Sequence, residues 1–188
     1  MSDKLVYEHL KQFNSTEGYW STTDCVSVAK DIIDLTNTKT MLEIGFNIGY
    51  SAATWLELGV ENLIALDIGY HNDTLPAIKA TANHYKTKKV LWWIGDSTSE
   101  EAKELDMPKI DAAFIDGEHS YRAAMSDSLL SIDYGADWLV YDDVIEFHSN
   151  GIDKVIRELV NTNRIEIVKR YPMTWIGEGD VILCKVVR

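Results

Sequence analysis

The chain has 188 residues, of which 46% are hydrophobic and 26% charged, with a formal net charge of −12. Such a balance suits one ordinary globular domain with a sizeable core. Its acidic surface would repel the phosphate backbones that clustered Lys and Arg hold, which argues against nucleic acid as a partner. 

In chain order, Met1–Lys11 intersperses Asp3, Lys4, Glu8 and Lys11 among its apolar residues, so it reads as neither a secretion signal nor an anchor. Residues 1–37 read as two helical pieces joined by a loop at Asn14–Ser21, an N-terminal cap on a domain spanning 38–188, with a single domain overall. From there strands and helices alternate. Strands are expected at Thr40–Ile44, Asn62–Asp67, Val90–Ile94, Ala112–Asp116 and Trp138–Asp142, each a short apolar run of the kind that parallel strands bury on both faces. Helices are expected at Tyr50–Leu58, Leu75–Tyr85, Ser99–Leu105, Tyr121–Asp133 and Asn150–Asn161. The last two strands, Arg164–Lys169 and Asp180–Val186, are expected to pair as a closing hairpin around the turn-rich stretch Tyr171–Gly179. This rhythm predicts an α/β fold: a doubly wound, mostly parallel, seven-stranded Rossmann-like sheet with an antiparallel C-terminal hairpin.

No run approaches the ~20 apolar residues of a membrane-spanning helix. Cys25 and Cys184 lie far apart without metal or redox spacing and read as reduced, structural thiols, as in a cytoplasmic protein. Lys86, Lys88 and Lys89 read as a solvated helix end, and His9, His71 and His84 as surface residues.

In open α/β sheets, ligands bind beyond the carboxyl ends of the strands, and here those ends carry acids. The first strand runs into Glu43-Ile44-Gly45-Phe46-Asn47-Ile48-Gly49-Tyr50-Ser51 at a helix start. Glycines let a ligand approach such a turn, and the helix start offers unpaired N–H groups. The spacing is E-x-G-x-x-x-G, with Asn47 at the central position, not the G-x-G-x-x-G of dinucleotide enzymes. Glu43 would face a pyrophosphate poorly and suits a ligand carrying an ammonium group. Asp67, ending the second strand, can accept both hydroxyls of a ribose. Asp96 follows the third strand, where it can meet a ligand or cap the helix near Ser99. Trp92 and Trp93 read as sheet packing.

Asp116 ends the fourth strand within Asp116-Gly117-Glu118-His119-Ser120-Tyr121, and Asp142-Asp143 end the fifth. Three converging carboxylates without Lys or Arg would raise one another's pKa, a conflict that a hard divalent cation with oxygen ligands removes. Mg²⁺ is the natural occupant.

The E-x-G-x-x-x-G turn resembles the first motif of the class I S-adenosylmethionine-dependent methyltransferases, over about residues 20–188. That resemblance implies that Glu43, Gly45 and Gly49, with Asn47 and Ser51 in the same turn, hold the methionine end of the cofactor. It further implies that Asp67 takes the ribose and Asp96 the adenine amino group. The Asp116 and Asp142-Asp143 strings resemble the metal-dependent O-methyltransferases, both the sugar- and antibiotic-modifying type and the catechol type. By that likeness Asp116, Asp142 and Asp143 ligate Mg²⁺. Glu118 stands where the sugar type has its base, and His119 where the catechol type has a Lys. An imidazole titrating near neutrality is itself matched to deprotonation, so the base is Glu118 or His119.

The implied activity is Mg²⁺-assisted O-methylation of a small-molecule hydroxyl, a sugar or polyol first and a phenol next. The resemblance also allows a homodimer. Tyr19 and Trp20, with Tyr171, Met173 and Trp175, read as pocket-mouth or packing residues, and His148 as a loop residue near substrate. The alternatives are an NAD(P)-dependent oxidoreductase, disfavoured by the first-strand spacing, a metal-independent N- or carboxyl-methyltransferase, and a binding protein that has lost catalysis.

Overall fold

The computed structural model describes residues 7–13, 20, 22–145, 151–173 and 179–188. The chain divides into two compact units, Met1–Gly95 and Asp96–Arg188. In the first, a 3₁₀ turn at Glu8–Leu10 precedes α1 (Thr23–Thr36), β1 (Thr40–Ile44), α2 (Tyr50–Glu57), β2 (Asn62–Asp67), α3 (Thr74–His84) and β3 (Lys89–Ile94). The second holds α4 (Glu100–Lys103), β4 (Ala112–Ile115), α5 (Tyr121–Asp133), β5 (Trp138–Val144), α6 (Ile152–Asn161), β6 (Ile165–Tyr171) and β7 (Asp180–Val186). The seven strands make up a mixed sheet, ordered β3-β2-β1 in the first unit and β4-β5-β7-β6 in the second.

In the first unit all pairing is parallel, Thr40↔Asn62 through Ile44↔Leu66 and Asn62↔Lys89 through Asp67↔Ile94. Parallel pairing in this register brings the carboxyl ends of the three strands to one side, so the turns after Ile44, Asp67 and Ile94 lie together. Met41, Leu42, Leu63, Leu66, Trp55 and Leu56 form the fully buried core beneath them. Helix α1 stops at Asn37, whose left-handed φ of +52° and N–H bond to the Ile33 carbonyl make a C-terminal cap.

Two expectations change here. The sequence pattern of Val90–Ile94 predicts a fully buried strand, yet no β3 residue is buried, and Leu91, Trp92 and Ile94 are exposed. The strand pairs with β2 alone among the described strands, so its apolar composition does not report burial on both faces. His9 is not a simple surface residue either. Its ring stacks on His84 with centroids 4.2 Å apart and planes 8° apart, and both ring nitrogens are buried without a hydrogen-bond partner. Burial, helped by repulsion from His84, pulls its pKa down to about 4, against the attraction of Glu57. His71 and His84 are exposed as expected.

In the second unit, β4 and β5 pair in parallel from Ala112↔Trp138 to Ile115↔Tyr141. Strand β7 runs antiparallel to both β5 and β6, so the expected closing hairpin is present with β7 as its inner strand. Helix α6 buries Ile152, Val155, Ile156 and Leu159, a spacing of three and four that aligns one apolar face. Helix α4 is shorter than the expected Ser99–Leu105 and is capped by the Ser99 hydroxyl, which accepts from the Ala102 N–H. The β5–β7 ladder shifts register between Tyr141 and Val144, which pair with Ile182 and Asp180. Asp142 and Asp143 therefore share one partner position, a β-bulge.

Cys25 and Cys184 are both buried free thiols, and burial pushes the Cys184 thiol up to about 12. Trp20 is buried and packs on Trp55, with ring centroids 5.3 Å apart, while Tyr171 and Met173 are also buried. These three serve in apolar packing. Tyr19, His148 and Trp175 lie outside the described residues. No helix among the described residues is long and apolar enough to cross a membrane.

Burial predicts where substitutions will be felt. Phe114→Ala empties a fully buried site on β4 and should cost about 3–5 kcal/mol. Val168→Ala, on the exposed β6, should change stability by less than about 0.5 kcal/mol. Urea unfolding of the two variants measures both.

Candidate active site

The loop after β1 is built from left-handed residues. Gly45, Asn47 and Gly49 have φ values of +93°, +51° and +84°. This explains Asn47 at the position where the motif's commonest form has glycine, because Asn is among the few side chains that tolerate this conformation. Gly49 serves as the N-terminal cap of α2, and a β-carbon there would overlap the Phe46 ring.

Asp67 ties this loop to the end of β2. Its Oδ2 accepts from the N–H groups of Phe46 at 2.8 Å and Asn47 at 2.9 Å, and its Oδ1 from the Gly69 N–H at 2.7 Å. The carboxylate expected to meet a ribose thus also organises the turn after β1. Glu43 is completely buried in β1, and its Oε1 accepts a short hydrogen bond from the Ser51 hydroxyl of α2. A buried carboxylate is costly unless it is paired or neutralised, which suits a cationic ligand group at this turn. The structure therefore brings Glu43, Gly45, Asn47, Gly49, Ser51 and Asp67 to one strand-end region.

In the second unit, Asp96 is exposed, and its Oδ1 accepts from both the N–H and the hydroxyl of Thr98 at 2.8 Å. Those two hydrogen bonds hold its carboxyl below the ordinary value. The helix cap is Ser99, so Asp96 shapes the turn before α4 without capping the helix itself. The next residue, Ser97, donates at 2.7 Å to Asp127 of α5, an acid only 1% exposed. Burial lifts the Asp127 pKa to about 6, with the Ser97 bond opposing and Asp96 and Glu118 reinforcing the rise.

The ends of β4 and β5 carry the densest chemistry. Asp116, His119 and Asp143 each place one ligand-capable atom so that all three lie within 4.8 Å of one another. His119 Nε2 is 3.6 Å from Asp116 Oδ1, and Nδ1 is 3.8 Å from Asp143 Oδ2. The three side chains are 25–33% exposed, open enough to meet solutes. Asp142 stands beside Asp143 in the bulge but outside this trio, and Glu118 is exposed next to His119. Two carboxylates and an imidazole are chemically suited to a divalent cation.

Local chain geometry holds the trio. Ser120 caps α5 by accepting from the Ala123 N–H, fixing the turn that carries His119. Asp143 sits in the bulge with a left-handed φ of +51°. Two glycines press against this scaffold. The Gly151 N–H donates to the His119 carbonyl at 2.6 Å, and a β-carbon there would overlap the Tyr121 backbone. A β-carbon on Gly179 would overlap the backbone of Asp143 and Val144. Sequence reasoning missed Gly151, Gly179 and Asp127; their roles arise from distant neighbours, and no local pattern marks them.

Two outcomes follow. Asp127 keeps its proton in the fold at pH values where the unfolded chain ionises, so stability should fall between about pH 4 and pH 6 and stay low above that window. Asp127→Asn keeps an acceptor for Ser97 and should remove roughly 2–3 kcal/mol of that decline, read from urea midpoints at pH 4.5 and 7.5. Gly151→Ala should destabilise the protein by at least about 2 kcal/mol, read the same way at pH 7.5.

The chain matches the model of the Methyltransf_24 family, described as a methyltransferase domain, over residues 42–149. No curated protein matches its sequence. Among solved structures, it is similar to the O-methyltransferase from Bacillus cereus in complex with SAH, at 14% identity and TM-score 0.66, covering 87% of this chain and 80% of that one. It is also similar to TomG of Streptomyces achromogenes, an O-methyltransferase involved in tomaymycin synthesis and solved with SAM, at 14% identity, TM-score 0.67 and coverages of 89% and 81%. The SAH-bound methyltransferase PaMTH1 of Podospora anserina matches at 17% identity and TM-score 0.65, with coverages of 87% and 78%. Likeness at these identities speaks for a shared fold, and the family match spans both the β1 turn and the β4–β5 acids. The chain belongs to this methyltransferase-domain family, within the class I S-adenosylmethionine-dependent methyltransferases.

Proposed function

We propose that the protein transfers the methyl group of S-adenosylmethionine to a hydroxyl oxygen of a small molecule, a sugar or polyol first and a phenol next. The observation that carries this reading is the meeting of Asp116, His119 and Asp143 at the ends of β4 and β5. Methyl transfer to oxygen needs the acceptor hydroxyl deprotonated, and this cluster offers both cation ligands and proton acceptors. The solved O-methyltransferases with the same fold support the choice of oxygen over nitrogen.

Residue roles follow from chemistry. Glu43, buried at the strand end, is placed to meet the cationic amino-acid end of the cofactor, and the left-handed turn at Gly45, Asn47 and Gly49 lets that end approach the backbone. Asp67 holds the turn closed and keeps lone-pair capacity for ribose hydroxyls. Asp96 is available to the adenine amino group. A divalent cation, Mg²⁺ on the sequence reading, would be held by Asp116 and Asp143, with Asp142 adjacent, and supplies Lewis acidity that lowers the pKa of a hydroxyl. Glu118 or His119 accepts the proton, and holding donor and acceptor in line accounts for much of the acceleration. No covalent enzyme intermediate is required.

Calorimetry with S-adenosylhomocysteine and with NAD, each with and without MgCl₂, tests the donor. Micromolar binding of the homocysteine product and none of NAD is expected; the reverse removes the reading. Asp143→Asn should lower cation-dependent methylation of a polyol and phenol panel at least about tenfold while keeping product affinity within about threefold. If both fall together, the division of roles is wrong.

A further inference from the structure

We propose that His119 is itself a cation ligand, taking the place the sequence assigned to Asp142, and that the site therefore selects a first-row transition cation such as Mn²⁺, Co²⁺ or Zn²⁺ over Mg²⁺. Separations of 3.6 Å and 3.8 Å between the His119 nitrogens and the two carboxylates are too long for direct hydrogen bonds. Two ligand atoms each about 2.1 Å from a shared ion lie about 3–3.5 Å apart. An ion takes only one of the two ring nitrogens, and the ligand-capable atoms of the trio, all within 4.8 Å of one another, reach that spacing by rotation of the three side chains.

The backbone supports the same trio. The bulge gives Asp143 its left-handed conformation and breaks the alternation of β5 between Asp142 and Asp143. Asp143 joins Asp116 and His119, and Asp142 does not. The Gly151 N–H fixes the His119 carbonyl at 2.6 Å, and Gly179 packs against the Asp143 backbone.

The donor set then decides the metal. Mg²⁺ demands near-octahedral oxygen ligands and gives up water reluctantly. Imidazole nitrogen favours borderline cations, whose affinity rises along the first transition row. With its nitrogen engaged, His119 is unsuited to accept the substrate proton, and the exposed Glu118 beside it takes that role. This last assignment rests on the methyl-transfer reading, whereas the metal assignment does not.

The experiment titrates the purified protein with MnCl₂, following free Mn²⁺ by electron paramagnetic resonance and nitrogen coupling to the bound ion by pulsed methods. Wild type, His119→Ala, His119→Gln and Asp142→Asn are compared, with MgCl₂ as competitor and thermal unfolding as the folding check. The expected result is ¹⁴N coupling in wild type and Asp142→Asn and its loss in both His119 variants. Mn²⁺ affinity should weaken at least about tenfold in the His119 variants and less than about threefold in Asp142→Asn. Mg²⁺ should displace Mn²⁺ only in large excess. Absence of ¹⁴N coupling, loss of the ion in Asp142→Asn but not in the His119 variants, equal competition by Mg²⁺, or no Mn²⁺ binding at millimolar concentration each overturns the proposal. Cofactor binding enters none of these readouts, so failure of the methyl-transfer reading would show separately, in the calorimetry with S-adenosylhomocysteine.

Discussion

A carboxylate withdrawn from water must be answered by something positive or by a proton, and this requirement organises the strand ends of the protein. Each acid there is answered differently. Asp67 receives three backbone N–H groups, Asp96 the amide and hydroxyl of Thr98, and Glu43 the hydroxyl of Ser51. Asp127 leans toward keeping its proton. Asp116 and Asp143 face His119. The first two acids are well served by their own chain. Glu43 and the Asp116–Asp143 pair are the acids to which the proposed function gives a ligand.

This division separates scaffold from chemistry. Asp67 shapes the turn after β1, so under the proposed function its role would combine positioning with contact. Glu43 and Ser51 join β1 to α2 across the same turn, coupling the helix to the charge it flanks. In the second unit, Ser97 and Asp127 link the turn after β3 to α5, the helix that begins just beyond His119. Any change in one of these acids is therefore felt in the backbone around it as well as in the ligand it would touch.

Much of this was legible in the sequence because parallel strands are short apolar runs and their ends are where polar residues reappear. Strands Thr40–Ile44, Asn62–Asp67 and Asp180–Val186 and helix Tyr121–Asp133 have the expected bounds. The glycines and acids at the ends of β1, β4 and β5 stand out by their position after apolar runs, whereas the roles expected of them come from the resemblance to methyltransferases. The rest depended on tertiary neighbours. Leu91, Trp92 and Ile94 look like core in the sequence, yet exposure depends on what covers a strand, which a local pattern does not record. The stack of His9 on His84 joins residues far apart in the chain. Asp127 lies in a helix whose pattern gives no sign that its carboxyl is buried. The distinction between Asp142 and Asp143 needed the bulge, since an unbroken strand would simply alternate the two.

The irregularity in β5 trades regular pairing for the aim of one carboxylate. A strand one residue shorter between Tyr141 and Val144 would restore the regular ladder with β7 and relieve the left-handed backbone at Asp143. The same shortening would delete one of the two acids and re-aim the other. The additional residue, packed against Gly179 where a side chain would overlap the backbone, gives up regular pairing and gains a separate direction for the Asp143 carboxylate.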